Sequence, residues 1–350
     1  MSPPRPGAAG SGLPRVTVFS LGGTIASTGI PEAPGDGAGG VAPRLGAGEL
    51  VAAVPQLRGI AEVETVAFRQ VPSGDLTLSD VVALAAEIGR RFASGVAGAV
   101  ITQGTDTIEE TAFALDLLTV GGPVVVTGAM RNPTLAGPDG PANLVAAVQV
   151  AVSPGAAGLG TLVVLNDEIH AARFAGKTHT SSPAAFRSLT AGPVGWVVEG
   201  RPRLVMRLPR LAGLRAAVSG DIPPVALLTS ALGDDSRLVD AVPDLGYAGL
   251  VIAAFGGGHV PGHVAAALDR VASRIPVVLA SRAPGGEILQ RTYGFPGSER
   301  DLLARGLIPA GFLSALKARV FLSLLLAAGA STESARAAFD RMNASVSAVP

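Results

Sequence analysis

Short apolar runs alternate with longer stretches of helical period along most of this chain. That rhythm predicts βα units around a mainly parallel sheet. Residues 16–19 read as the first strand and pass directly into Leu21-Gly22-Gly23-Thr24. Residues 27–44 are rich in Gly and Pro, keep no apolar period and read as loop. A strand over 63–71 leads to the turn Pro72-Ser73-Gly74-Asp75, and a helix over 79–92 follows with Ser79 as its N-cap. Strand 99–102 ends in Gln103-Gly104-Thr105-Asp106, and Thr107 with Glu110 has the spacing of a capping box for a helix over 108–118. Strand 123–127, a helix over 141–152 and strand 162–165 complete this half. After an Arg-bearing run of little period at 200–222, strands fit 225–229, 249–254 and 276–280, with helices at 261–273, 311–328 and 332–342. The expectation is a two-domain α/β protein. A larger N-terminal domain, 1–210, holds a mainly parallel sheet flanked by helices; a linker spans 211–222, and a smaller C-terminal α/β domain spans 223–350.

Composition narrows what such a protein does. A length of 350 residues suits two domains at about 150 residues each. Hydrophobic residues supply 48% and charged residues 15%, well below the roughly 25% of an ordinary soluble chain, so a sizeable core is available and disorder is excluded for most of the chain. Basic and acidic residues number 27 each, and zero net charge argues against a nucleic-acid binder, which needs a basic surplus. Cysteine is absent, which removes disulfide frameworks, zinc ribbons and thiol nucleophiles together. A mean hydropathy of +0.45 raises the question of a membrane protein. The two uncharged stretches, 140–166 and 245–268, are each broken by Gly and Pro, whereas a spanning helix needs about 20 predominantly apolar residues. The Pro/Gly-rich N-terminus has no apolar leader region, so a cytoplasmic protein without a membrane partner is expected.

Three polar turns fall at the carboxyl ends of predicted strands, where open α/β sheets bind ligands. They are Gly22-Gly23-Thr24, Ser73-Gly74-Asp75 and Gly104-Thr105-Asp106-Thr107. Glycine ahead of a hydroxyl residue lets backbone N–H groups approach a ligand without a Cβ in the way. A tight turn accounts for Gly-Gly-Thr equally well, but the long loop after Thr24 gives that hydroxyl a lid. If Thr107 caps the helix, Thr105 is left without a structural task. Of the 27 basic residues only Lys177 and Lys317 are lysine. Lysine can serve as a base where arginine stays charged, so Lys177, in the polar run Gly176-Lys177-Thr178-His179, is a candidate, set against a chance surface lysine. His259 and His263 flank Val-Pro-Gly, and Pro261 interrupts any helix that would pair them on a metal. No metal site and no cofactor are expected.

Taken in order, these turns resemble the bacterial-type L-asparaginases of the asparaginase/glutaminase superfamily. Ser20-Leu21-Gly22-Gly23-Thr24-Ile25-Ala26 resembles the first signature, usually Thr-Gly-Gly-Thr-Ile-Ala, and Gln103-Gly104-Thr105-Asp106-Thr107 with Glu109-Glu110-Thr111 resembles the second. Residues 50–57, 127–131, 139–144 and the run around Lys177 also fit, so the resemblance covers about 15–342. It implies hydrolysis of L-asparagine to L-aspartate and ammonia, possible action on L-glutamine, no cofactor, and a homodimer or homotetramer. By the same resemblance Thr24 is the lid-side nucleophile that forms a β-aspartyl ester. Thr105, Asp106 and Lys177 form a second triad in which Lys177 takes the Thr105 proton. Ser73 binds the substrate α-carboxylate with N–H groups around Gly23, Gly74 and Gly104. The Ala129 carbonyl meets the amide, and Glu287 is a candidate carboxylate for a neighbouring subunit's site. Which threonine attacks first is left open by the resemblance.

Several positions depart from the pattern. Leu21 replaces a Thr and Gln103 a His, Gly74 stands where many members carry a Gln, and His259 falls where relatives carry an Asn. Residues 27–44 contain no Tyr, although the family commonly places one there to activate the first Thr. Two other readings therefore stand beside the asparaginase: a glutaminase-dominant amidase, and a non-catalytic amino-acid-binding module on the same fold. Retention of Thr24, Thr105, Asp106 and Lys177 weighs against the second, since binding alone does not need them.

Overall fold

A computed structural model of the chain describes residues 12–23, 25, 27–29, 41–43, 46–211, 213–214, 218 and 221–347. Strand β1 (Arg15–Ser20) lies next to one edge of the first sheet and is followed by a small antiparallel pair, β2 (Ser27–Gly29) and β3 (Val41–Pro43). The loop expected at 27–44 thus carries a short strand near each end, and the residues between lie outside those described. Helix α1 (Ala47–Ala52) leads to β4 (Glu62–Ala67), shorter than the strand expected over 63–71, and a 3₁₀ turn forms at Ser73–Asp75. Helix α2 (Leu78–Ala93) starts earlier than expected because Thr77, not Ser79, is its cap. The Thr77 hydroxyl accepts from Asp80 N at 3.1 Å, while Asp80 Oδ2 accepts from Thr77 N at 3.0 Å.

Strand β5 (Gly98–Thr102), α3 (Ile108–Leu118), β6 (Val124–Thr127), α4 (Gly140–Ala151) and β7 (Thr161–Leu165) continue the βα rhythm. Strands β4, β1, β5, β6 and β7 lie side by side in that order, all parallel. Both faces are covered, so alternate residues of one strand enter different cores. Phe19, Ile101, Val126 and Val163 face α2 and α3, whereas Val18, Val100, Val125 and Val164 face α4. Double burial is what makes these strands read as near-continuous apolar runs.

The sheet then turns antiparallel through β8 (Glu168–Ala171). It leaves the short pair β9 (Gly176–Lys177) and β10 (Phe186–Arg187) outside it, and closes with β11 (Gly195–Val198) and β12 (Arg201–Leu204). Asn166 and Asp167 between β7 and β8 have φ of 51° and 60°, the twist that joins strands through two residues. Of the linker expected at 211–222, residues 212, 215–217, 219 and 220 lie outside those described. Leu211 is buried in the core, and Leu214 N donates to Leu117 O at the end of α3.

The second sheet is parallel throughout, in the order β13 (Val225–Thr229), β14 (Gly249–Ala254), β15 (Val277–Ser281) and β16 (Ile308–Pro309). Helices α5 (Arg237–Ala241), α6 (Gly262–Ala272) and α7 (Glu299–Ala304) accompany these strands. The apolar α8 (Ala315–Ala327) fills the space between the two sheets, and α9 (Thr332–Ser347) packs behind it. Ser314 accepts from Lys317 N and starts α8 four residues later than expected. Phe321 of α8 meets Phe113 of α3 edge-on at 6.4 Å, and both belong to the core shared by the two sheets. Among the described residues no helix is long and apolar enough to cross a membrane.

Candidate active site

The parallel strands in the order β4-β1-β5-β6-β7 reverse direction of progression between β1 and β5, the place where such sheets open a crevice at their carboxyl ends. The three glycine-bearing turns follow β1, β4 and β5, so all three converge on that point. Their approach is closer than any side chain would permit. A Cβ on Gly23, whose φ is +85°, would stand 2.0 Å from Gly104 N, and one on Gly104 would stand 2.8 Å from Ser73 Oγ. Ser73 and Gly104 are buried, while Gly74 is exposed with open space around it. Thr24 lies outside the described residues.

Thr107 ties two of these turns together. Its hydroxyl donates to Ser73 O at 3.1 Å and accepts from Gln103 Nε2 at 3.2 Å. It makes no capping bond to α3, so the capping box expected from Thr107 and Glu110 does not form. The hydroxyl is instead turned toward Ser73 O, which takes its proton, and the Gln103 amide, which takes its oxygen. Gln103, fully buried, also donates to Gly104 O at 3.3 Å and so braces the turn from within.

Lys177 reaches this point from the short strand β9, outside the large sheet. Its Nζ donates to Thr105 Oγ1 at 2.9 Å and to Asp106 Oδ1 at 2.5 Å. Thr105 is buried, Asp106 is exposed, and the Lys177 side chain is 15% exposed. Three of the four expected catalytic residues are therefore in direct contact. A buried hydroxyl, an amine and an accessible carboxylate could together supply a proton acceptor for a threonine and a partner for a cation. Ala129, after β6, is buried against Ile25 and Leu50. Glu287 is exposed in the loop after β15 and, among the described residues, makes no hydrogen bond or ion pair to the Lys177 group.

The histidines are engaged separately. His259 Nε2 meets Glu299 Oε2 at 3.2 Å, and His263 Nε2 meets Asp234 O at 3.0 Å. Reading the sequence missed Thr107, and it missed Glu109, whose Oε1 accepts from Lys177 N at 3.3 Å. The repeated hydroxyls of Thr105-Asp106-Thr107 were the available signal for the first; the second sits in the same short motif as the triad.

Residues 15–210 match the family model described as asparaginase, N-terminal, and residues 224–339 match the glutaminase/asparaginase C-terminal domain. A probable L-asparaginase of Deinococcus radiodurans is 38% identical, over 94% of this chain and 98% of that protein. L-asparaginase 2 of Escherichia coli is 34% identical, over 90% of this chain and 89% of its own. The crystal structure of a probable cytoplasmic L-asparaginase from Campylobacter jejuni superposes with a TM-score of 0.81 at 30% identity, over 93% of this chain and 99% of that one.

Proposed function

The chain belongs to the asparaginase family, and we propose that it converts L-asparagine and water to L-aspartate and ammonia through a threonine nucleophile. The observation that carries this reading is the contact of Lys177 Nζ with Thr105 Oγ1 at 2.9 Å and Asp106 Oδ1 at 2.5 Å, beside the glycine turns. Lys177 acts as the base that takes the Thr105 proton. Asp106, exposed on one side, pairs with the substrate α-ammonium, and Ser73 with the N–H groups of Gly23, Gly74 and Gly104 takes the α-carboxylate. Thr24 adds to the side-chain carboxamide carbon and gives up its hydroxyl proton to the triad, the C–N bond breaks, and ammonia leaves carrying that proton. Water then cleaves the β-aspartyl ester, releasing aspartate and restoring the hydroxyl. The Ala129 carbonyl faces the leaving amide, and Glu287 serves a neighbouring subunit of a homodimer or homotetramer. No cofactor enters this scheme. A positioned base of this kind contributes roughly 10²–10⁴-fold in rate.

A division into 1–210, a linker at 211–222 and 223–350 fits one sheet before the junction and one after it. A cytoplasmic location is proposed with it, on the likeness to the Campylobacter protein. Ammonia release from L-asparagine and L-glutamine by the purified chain, beside Thr24→Ala and Thr105→Val, tests the reaction. Release from asparagine that collapses in both variants supports it. Faster release from glutamine makes the chain a glutaminase first, and binding without ammonia release makes it an amino-acid-binding module.

A further inference from the structure

Of the chain's two lysines, Lys177 belongs to the site above and Lys317 has no part in it. Both nevertheless meet one carboxylate. Glu109, in the first turn of α3, accepts from Lys177 N through Oε1 at 3.3 Å and from Lys317 Nζ through Oε2 at 3.5 Å. The same ammonium donates to Ala175 O, two residues before Lys177. Lys317 stands on α8 of the second domain and is only 3% exposed, and Glu109 is 9% exposed.

The segment that carries Lys177 needs such support. Strand β9 is two residues long, pairs among the described residues with β10 alone, and lies outside the large sheet whose turns hold Thr105 and Asp106. A cavity of about 160 Å³, lined by Glu109, Lys177, Phe312 and Lys317 among others, adjoins it, so close packing does not fix its place on that side. Polar anchors do. We infer that Lys317 is a positioning residue for amide hydrolysis, holding Glu109 so that its carboxylate fixes the backbone of Lys177 against Thr105. This rests on the reading of Lys177, Thr105 and Asp106 as the reacting group.

The choice of lysine is consistent with that task. An ammonium is a compact donor that satisfies one carbonyl and one carboxylate oxygen, where a guanidinium presents a wide planar fork. Burial pushes the Lys317 ammonium below its ordinary pKa, and the facing Glu109 carboxylate opposes that shift. A buried ion pair is a weak source of stability, and loss of one partner leaves the other charge uncompensated. The pair is therefore better understood through what Glu109 holds than through stability.

Steady-state kinetics on L-asparagine with Lys317→Met, Glu109→Gln, the double variant and Lys317→Arg test the inference, with thermal unfolding of each. Lys317→Met is expected to lower kcat about tenfold with KM within about twofold, because the amine is displaced from Thr105 while the substrate cradle is untouched. Lys317→Arg, which keeps a cation beside Glu109 but presents the wider fork, should recover only part of that loss. In the Glu109→Gln background Lys317→Met should change kcat by less than about twofold, since the two act in one chain of contacts. If Lys317→Met does not fold, the double variant buries no charge; Glu109→Gln with kcat about tenfold down, and no further fall in the double, then supports the inference. A lower Tm with kcat and KM unchanged in Lys317→Met overturns it, as does wild-type kcat in Glu109→Gln. Lys177→Met and Thr105→Val serve as references. If they stay active, the reading of the site itself fails; if they are inactive beside a fully active Lys317→Met, only this inference does.

Discussion

Gly23 lies so close to Gly104 that a β-carbon on the first would stand 2.0 Å from the backbone nitrogen of the second. Two strand-end turns can share one crevice only because neither carries a side chain there. Gly23 also has φ +85°, which an alanine adopts with strain. Gly23→Ala should therefore cost about 3 kcal/mol of stability and push the first turn away from Thr105, lowering kcat by at least ~10²-fold. Gly59→Ala, where a methyl group meets nothing within 4 Å and φ is not positive, should stay within about 0.5 kcal/mol of the parent. Thermal unfolding and ammonia release on the two variants check both.

Lys177 separates base chemistry from charge. Lys177→Met and Lys177→Arg should both lower kcat by roughly 10²–10⁴-fold, because an arginine keeps its proton and cannot take one from Thr105. Stability should barely change. The partner carboxylate of Asp106 is 78% exposed, so its ion pair with Lys177 is screened by water. Wild-type activity in Lys177→Arg would show that the residue supplies only a positive charge.

Thr107 gives a test of how the substrate cradle is held. Thr107→Val keeps the shape and removes the hydroxyl that joins Ser73 O to Gln103 Nε2. The expected cost is about 1 kcal/mol, with a severalfold rise in KM because the Ser73 turn is loosened and kcat much less affected. Thr107→Ser should restore KM. Glu110→Gln should leave the start of α3 intact, as no capping bond from Thr107 exists there; circular dichroism and KM measurements together decide.

The central strands were legible because burial on both faces leaves an apolar signature in the residues themselves. Strands β8, β11 and β12 were not, since each is four residues long with a mixed pattern, and Pro202 within β12 is tolerated only because that strand is at the sheet's edge. The two-residue turn Asn166-Asp167 was a usable hairpin signal that the reading passed over. Thr77–Asp80 and Thr107–Glu110 have the same spacing, yet only the first caps a helix. The difference lies in the Gln103 amide, which occupies the Thr107 oxygen, and in Ser73 O, 34 residues away, which orients the hydroxyl and which no local pattern contains. For the site, strand ends and lysine rarity pointed to Thr105, Asp106 and Lys177. That rarity flagged Lys317 as well, but its carboxylate partner is 208 residues distant and becomes visible only when the two domains pack.

Glu299 sets an acid limit on the second domain. Its carboxylate is fully buried at the start of α7, where burial alone would raise its pKa. The N–H groups of Tyr293 and Thr292, at 2.7 and 2.8 Å, with His259 on the other oxygen, outweigh burial and hold it below the ordinary glutamate value. A carboxylate with a depressed folded-state pKa contributes stability that is complete above its unfolded value and lost as pH falls through the folded one. Tm should accordingly hold steady down to about pH 5 and fall between about pH 5 and 3. Glu299→Gln, which cannot ionise, should lower Tm at pH 7, since one amide oxygen replaces a charged acceptor for two N–H groups. It should also reduce the slope of Tm against pH in that acid window. Calorimetry of both proteins from pH 7 to pH 3 measures this, and equal slopes would mean that other carboxylates govern acid unfolding.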